Sequence, residues 1–111
     1  MKNSRTSSKH DSIVDAIRRH PQTIGIEDHL ASTGEAIFWE GESYVTSPDS
    51  LIFTRDKVLV LEYKSSDYDN LRARAQLERH MDHVGRLFNN FEVTGLYVHG
   101  RRLNHLNIEE I

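Results

Sequence analysis

Apolar and polar positions recur with two different periods along this chain, and each change of period marks an element. Ile13, Val14 and Ile17 share one face at helical spacing, and Ser12 opens that stretch in a Ser-x-x-Asp pattern with Asp15. Pro21 predicts a stop near His20, because the residue before a proline is pushed out of the helical region. Pro21 can also open a second helix, with Ile26, Leu30 and Ala31 on one face and Gly34 as its stop. From Ala36 the residues favour strands. Ala36–Trp39 and Ser43–Thr46 read as a first strand, bent or bulged at Gly41. Ser50–Phe53 follows Pro48 as a second strand, and Thr54–Lys57 is a polar turn. Val58–Leu61 is an unbroken apolar run, which suits a strand covered on both faces. After Lys64 the period becomes helical, with Leu77, Met81, Val84 and Phe88 forming one stripe that Asn89 and Asn90 end. Phe91–Val98 is a last strand. Arg101–Ile111 has no clear period. Residues 1–10 hold one apolar residue, Met1, and read as a disordered tail.

The order is therefore helix, three strands in an antiparallel meander, helix, fourth strand. A helix that crosses between the third and fourth strands makes that pair parallel, so the expected fold is α/β with a mixed sheet. Length fits one domain, over residues 11–111 of the 111. No apolar run reaches the roughly 20 residues needed to span a bilayer. The polar N-terminus does not look like a secretory signal, so no membrane partner is expected. The chain has no cysteine, which excludes disulfides, thiolate zinc sites and cysteine-held iron–sulfur clusters. This is compatible with a cytoplasmic protein. Net charge is -3, so binding to nucleic acid would need a local basic patch, or metal ions at a local acidic site.

Candidate chemistry concentrates in Pro48-Asp49 and Glu62-Tyr63-Lys64. If the intervening turn is centred between Arg55 and Asp56, Asp49 falls opposite Glu62 in an antiparallel hairpin. Opposed residues share a face, with Cβ atoms about 5 Å apart. Lys64, two positions after Glu62, joins them. Facing carboxylates repel unless one protonates or a cation sits between them. Lys64 can balance part of that charge in a plain salt bridge. A hard divalent cation balances it better, and the Tyr63 carbonyl could add a further oxygen ligand.

These residues resemble the PD-(D/E)XK nuclease superfamily, in which Asp49, Glu62 and Lys64 would take the signature positions. The resemblance covers roughly residues 20 to 100. It implies a restriction-endonuclease-like core and hydrolysis of DNA phosphodiesters with Mg²⁺ or Mn²⁺, in recombination, repair or defence. Asp49, Glu62 and the Tyr63 carbonyl would hold the metal, and Lys64 would assist the attacking water. Gln76 is similar to the glutamine of the Gln-x-x-x-Tyr helix motif of RecB-like exonucleases, where it supports the site. His80 stands at the tyrosine position. Archaeal Holliday-junction resolvases share the core and the acid spacing. The superfamily usually adds an acid or histidine from the first helix. Glu27 is the first choice here, with Asp15, His29 and Glu35 as alternatives. A nuclease-fold module that only binds nucleic acid, or assembles into a larger nuclease complex, is the rival expectation. A homodimer would supply two sites for cutting both strands.

Weaker signals remain open. Arg72, Arg79 and Arg86 are seven apart on the helix face away from Leu77 and could follow a phosphate backbone, or form a solvated face. His80 and His83 have the spacing of a metal-ligand pair but no cysteine to join them. Trp39 is read as core, and Tyr68 as a loop residue that could touch substrate.

Overall fold

The apolar run Val58–Leu61 sits within the central strand of a sheet that is covered on both faces. In this computed structural model, residues 8–65 and 71–111 are described. The elements are α1 (Ser8–Arg19), a 3-10 turn (Pro21–Ile24), β1 (Ala31–Ser32), β2 (Phe38–Glu40), β3 (Ser43–Thr46), β4 (Ser50–Phe53), β5 (Lys57–Lys64), α2 (Leu71–Leu87), β6 (Glu92–His99) and β7 (Asn107–Glu110). Five strands form one sheet in the order β1-β4-β5-β6-β7, and β2 and β3 form a separate pair. β4 runs antiparallel to β5, while β6 runs parallel to it after the α2 crossover. The protein is thus α/β with a mixed sheet.

Alternation along β5 divides the core into two layers. Leu59, Leu61 and Tyr63 pack with Ile13, Val14 and Ile17 of α1. Val58 and Val60 pack with Ala73, Leu77 and Val84 of α2. The helical stripe expected from Leu77 and Val84 is buried, while Met81 and Phe88 are half-buried against the same cluster. Gly95 of β6 lets α2 approach the sheet: a Cβ there would collide with Met81 Sδ and lie 3.3 Å from Leu77.

Four expectations are corrected. Helix α1 begins at Ser8, inside the segment read as tail, and residues 1–7 lie outside the described residues. No α-helix follows Pro21. The 3-10 turn ends at Gly25, whose φ of 88° is left-handed, and the chain then runs extended beside β4. There the Leu30 N–H donates to Phe53 O and the Thr33 N–H to Leu51 O. Filling the open edge of β4 outweighs a weak helical pattern, because unpaired backbone groups are costly. The expected first strand is a hairpin, β2–β3, turning at Gly41 and Glu42, and it lies outside the main sheet. The antiparallel edge partner of β4 is instead the short β1. Finally, Trp39 is not core: it is 58% exposed and meets exposed Tyr44 edge to face. Arg101–Ile111, which showed no period, yields β7 against β6. No helix among the described residues is long and apolar enough to cross a membrane.

Candidate functional site

The β4–β5 register is the one expected, with Ser50 opposite Leu61 and Phe53 opposite Val58. It slips by one residue where the chemistry begins. The Asp49 N–H donates to Leu61 O at 3.1 Å, so Asp49 does not continue the ladder opposite Glu62. The reason lies one step along β5. The Tyr63 N–H points beyond the end of β4. Asp49 Oδ2 accepts it at 2.8 Å, so the carboxylate replaces a missing backbone carbonyl. In a strand the carbonyl points to the same edge as the N–H of its residue, so the Tyr63 carbonyl lies on the Asp49 side.

From that position Asp49 meets α1. His10 Nε2 lies 3.4 Å from Asp49 Oδ2, and His10 Nδ1 lies 3.3 Å from Asp11 Oδ1. Both ring nitrogens therefore face carboxylates, an arrangement that favours the imidazolium. The hydrogen bond to Asp49, above all, raises the His10 pKa from 6.5 to about 9, against the opposing effect of partial burial. His10 and Asp49 line an open cleft of about 770 Å³ with Asp11, Asp15, Arg18 and Glu35.

Glu62 is turned the other way. It is buried on the α2 face, with Oε1 3.3 Å from His80 Nε2. His80 Nδ1 in turn is in hydrogen-bond contact with Thr46 Oγ1 of β3. Lys64 is half-buried, and strand alternation puts it on the Glu62 face. It lies beside buried His99 in the parallel register, and His99 stacks on Tyr97 with ring centroids 5.0 Å apart. Gln76 is half-buried one turn before His80 on α2.

The two carboxylates thus belong to neighbouring backbone positions but face different helices. Among the described residues they have no partner in common, and no three His, Asp or Glu side chains converge as a metal cage. The expected convergence of Asp49, Glu62 and Lys64 on one face is not seen for Asp49, which is drawn into the sheet plane by the Tyr63 N–H.

Of the residues expected to complete the site, Glu27 and His29 lie elsewhere. Glu27 is exposed in the loop after the 3-10 turn, between Ile26 and Asp28, which line a cleft with Thr54 and Lys57. His29 lies with Arg55 and Asp56. Both are near the hairpin turn, the length of β4 away from Asp49, on the order of 13 Å. Asp15 and Glu35 do line the Asp49 cleft, but Asp15 is engaged by Arg18 at 2.9 Å and Arg19 at 2.8 Å. The residue that α1 brings to Asp49 is His10, which the sequence reading assigned to the tail. Its signal was present: His10, Ile13, Val14 and Ile17 share the spacing of one helix face.

Arg72, Arg79 and Arg86 are exposed as expected, but Arg86 pairs with Asp82 at 2.6 Å. Arg79 and Arg86 border a groove between the β2–β3 hairpin and α2 that also contains Glu40, Glu78 and Asp82. His80 and His83 do not form a metal pair. His83 packs edge-on against Phe38, and His80 is committed to Thr46 and Glu62. Tyr68 lies outside the described residues. No protein-family model matches the chain, and neither does any curated protein.

Proposed function

We propose that this protein is a divalent-metal-dependent nuclease that hydrolyses phosphodiester bonds in DNA, on a core of the restriction-endonuclease-like type. One observation carries the proposal: Asp49 is fastened to the Tyr63 N–H, which holds its carboxylate at the end of β5 that bears Glu62 and Lys64, beside an open cleft. Two features support a hard cation there. The donors are carboxylate and carbonyl oxygens, the class that Mg²⁺ and Mn²⁺ select. Asp49 already attracts a positive group, the His10 imidazolium.

Asp49, Glu62 and the Tyr63 carbonyl would hold the metal, which when bound acidifies a water and offsets charge on the phosphate. Asp49 is held in place by the backbone, so it needs no rearrangement to receive a cation. Lys64 would orient the attacking water or bind a phosphate oxygen. Gln76 supports the α2 side. His10 balances the Asp49 charge when no metal is present. Cutting both strands of a duplex takes two such sites, which a homodimer would supply.

A second reading is favoured by the separation of the carboxylates and the absence of a three-residue cage among the described residues. On that reading the chain is a binding or assembly module that retains the fold without the chemistry. Labelled duplex, single-stranded, flap and four-way-junction DNA, each incubated with Mg²⁺, Mn²⁺ or EDTA, separates the two. The nuclease cuts at least one substrate and EDTA stops it. Binding without cleavage of any substrate supports the module. Neither binding nor cleavage overturns both.

A further inference from the structure

We propose that His80 is the positioning residue for Glu62, and that Thr46 of the β2–β3 hairpin holds His80 in the tautomer this requires. The inference rests on the reading of Glu62 as a metal ligand.

Thr46, His80 and Glu62 come from β3, α2 and β5, and all three are buried. Their polar atoms form a single line: Thr46 Oγ1 to His80 Nδ1, then His80 Nε2 to Glu62 Oε1 at 3.3 Å. An ionised carboxylate only accepts, so the ring nitrogen facing Glu62 must carry a hydrogen. The neutral ring then has Nδ1 as an acceptor, and the Thr46 hydroxyl is placed to donate to it. This assignment gives each group in the line a neighbour of the complementary kind. A Val at position 46 could not supply that donor.

The alignment between His80 and Glu62 is incomplete. Neither Glu62 Oε1 nor His80 Nε2 has a hydrogen bond of good geometry among the described residues, although each is the other's neighbour. Buried groups left in that condition cost stability, so the pair gains from any adjustment that lines them up. A carboxylate held through one oxygen presents the other to a cation, and groups that hold a ligating carboxylate tune metal affinity. This also gives the hairpin a task. It stands outside the main sheet, and Thr46 at the end of β3 is the residue by which it reaches His80.

The test is Mn²⁺ titration calorimetry on the full chain, with a thermal melt of each variant. Glu62→Gln should lose Mn²⁺ binding. His80→Phe should weaken it by roughly tenfold or more, the usual cost of removing a group that orients a ligand. His80→Gln, which keeps a donor, should recover part of that loss. Thr46→Val should bind more weakly than Thr46→Ser, which keeps the hydroxyl. If Glu62→Gln loses binding while His80→Phe and Thr46→Val bind like the unmodified protein, the positioning role is wrong and the metal site stands. If Glu62→Gln binds Mn²⁺ normally, the metal assignment itself fails and this inference goes with it. Should His80→Phe not fold, Thr46→Val against Thr46→Ser decides, because Val keeps the shape of Thr without its hydroxyl and Ser keeps the hydroxyl; equal affinities overturn the proposal.

Discussion

A histidine lies beside a candidate site carboxylate on the α1 side of the sheet and another on the α2 side, and the two pairs have nearly the same separation. His10 and Asp49 approach to 3.4 Å on the α1 side, and His80 and Glu62 to 3.3 Å on the α2 side. They differ in water. The α1 pair has side chains 33% and 16% exposed, and the α2 pair 2% and 6%. The first pair opens on a cleft, and its imidazole is charged at neutral pH. The second is dry and is completed by a threonine hydroxyl. The same two residue types therefore do different work. On the α1 side the pair is partly solvated, so its attraction is screened. In the dry layer the histidine fixes the carboxylate, since an unpartnered buried charge is expensive.

The largest expected effect tests that difference. His80→Leu should lower unfolding stability by about 3 kcal/mol or more in urea titration, because it leaves Glu62 buried without its partner. His10→Leu should cost less than about 1 kcal/mol, since its pair is partly solvated and screened. Equal losses would mean that the two faces do not differ as described.

A smaller effect should appear with pH. The folded protein binds the His10 proton more tightly than the unfolded chain does, with a pKa raised from 6.5 to about 9. The stabilisation from this pair is therefore full below about pH 6.5, declines as pH rises, and is gone above about 9. In EDTA, the stability difference between the unmodified protein and His10→Leu should shrink across that interval. A difference that stays constant from pH 6 to 9.5 would show that Asp49 does not hold the His10 proton.

The smallest effect concerns which face a polyanion follows. The α1 cleft holds Asp11, Asp15, Glu35 and Asp49 against Arg18 and His10, whereas the α2-side groove holds Arg79 and Arg86 together with Glu40, Glu78 and Asp82. Replacing Arg72, Arg79 and Arg86 with Gln should weaken binding to all DNA sequences alike. The slope of log affinity against log salt should fall by up to about three units. Stability should hardly change, because the buried stripe of α2 is untouched. An unchanged slope would make these arginines a solvated face.

Much of the fold was legible because its signals are local. The Val58–Leu61 run, the Leu77–Val84 stripe and the turn at Arg55 and Asp56 predicted the central strand, the crossover helix and the β4–β5 register, all of which are present. The path of residues 25–33 was not legible, because its conformation is set by the open edge of β4 rather than by its own period. The site was legible in its residue types and less so in its geometry. Strand alternation places Glu62 and Lys64 together, but it cannot show that the Tyr63 N–H would capture Asp49. His80 was noticed for its position in a motif. Its connection to Thr46 spans 34 residues and depends on how the hairpin packs, which no local pattern encodes.

The central claim is that Asp49 holds a divalent cation for phosphodiester hydrolysis, and one paired measurement on Asp49→Asn addresses it. Turnover of the best-cut DNA substrate in Mn²⁺ is compared with DNA affinity measured in EDTA. Removing the carboxylate takes away a metal ligand, and also a negative charge that repels phosphate when the metal is absent. The account predicts that metal-dependent turnover disappears while affinity in EDTA stays the same or rises. Unchanged turnover in a folded Asp49→Asn protein would contradict it.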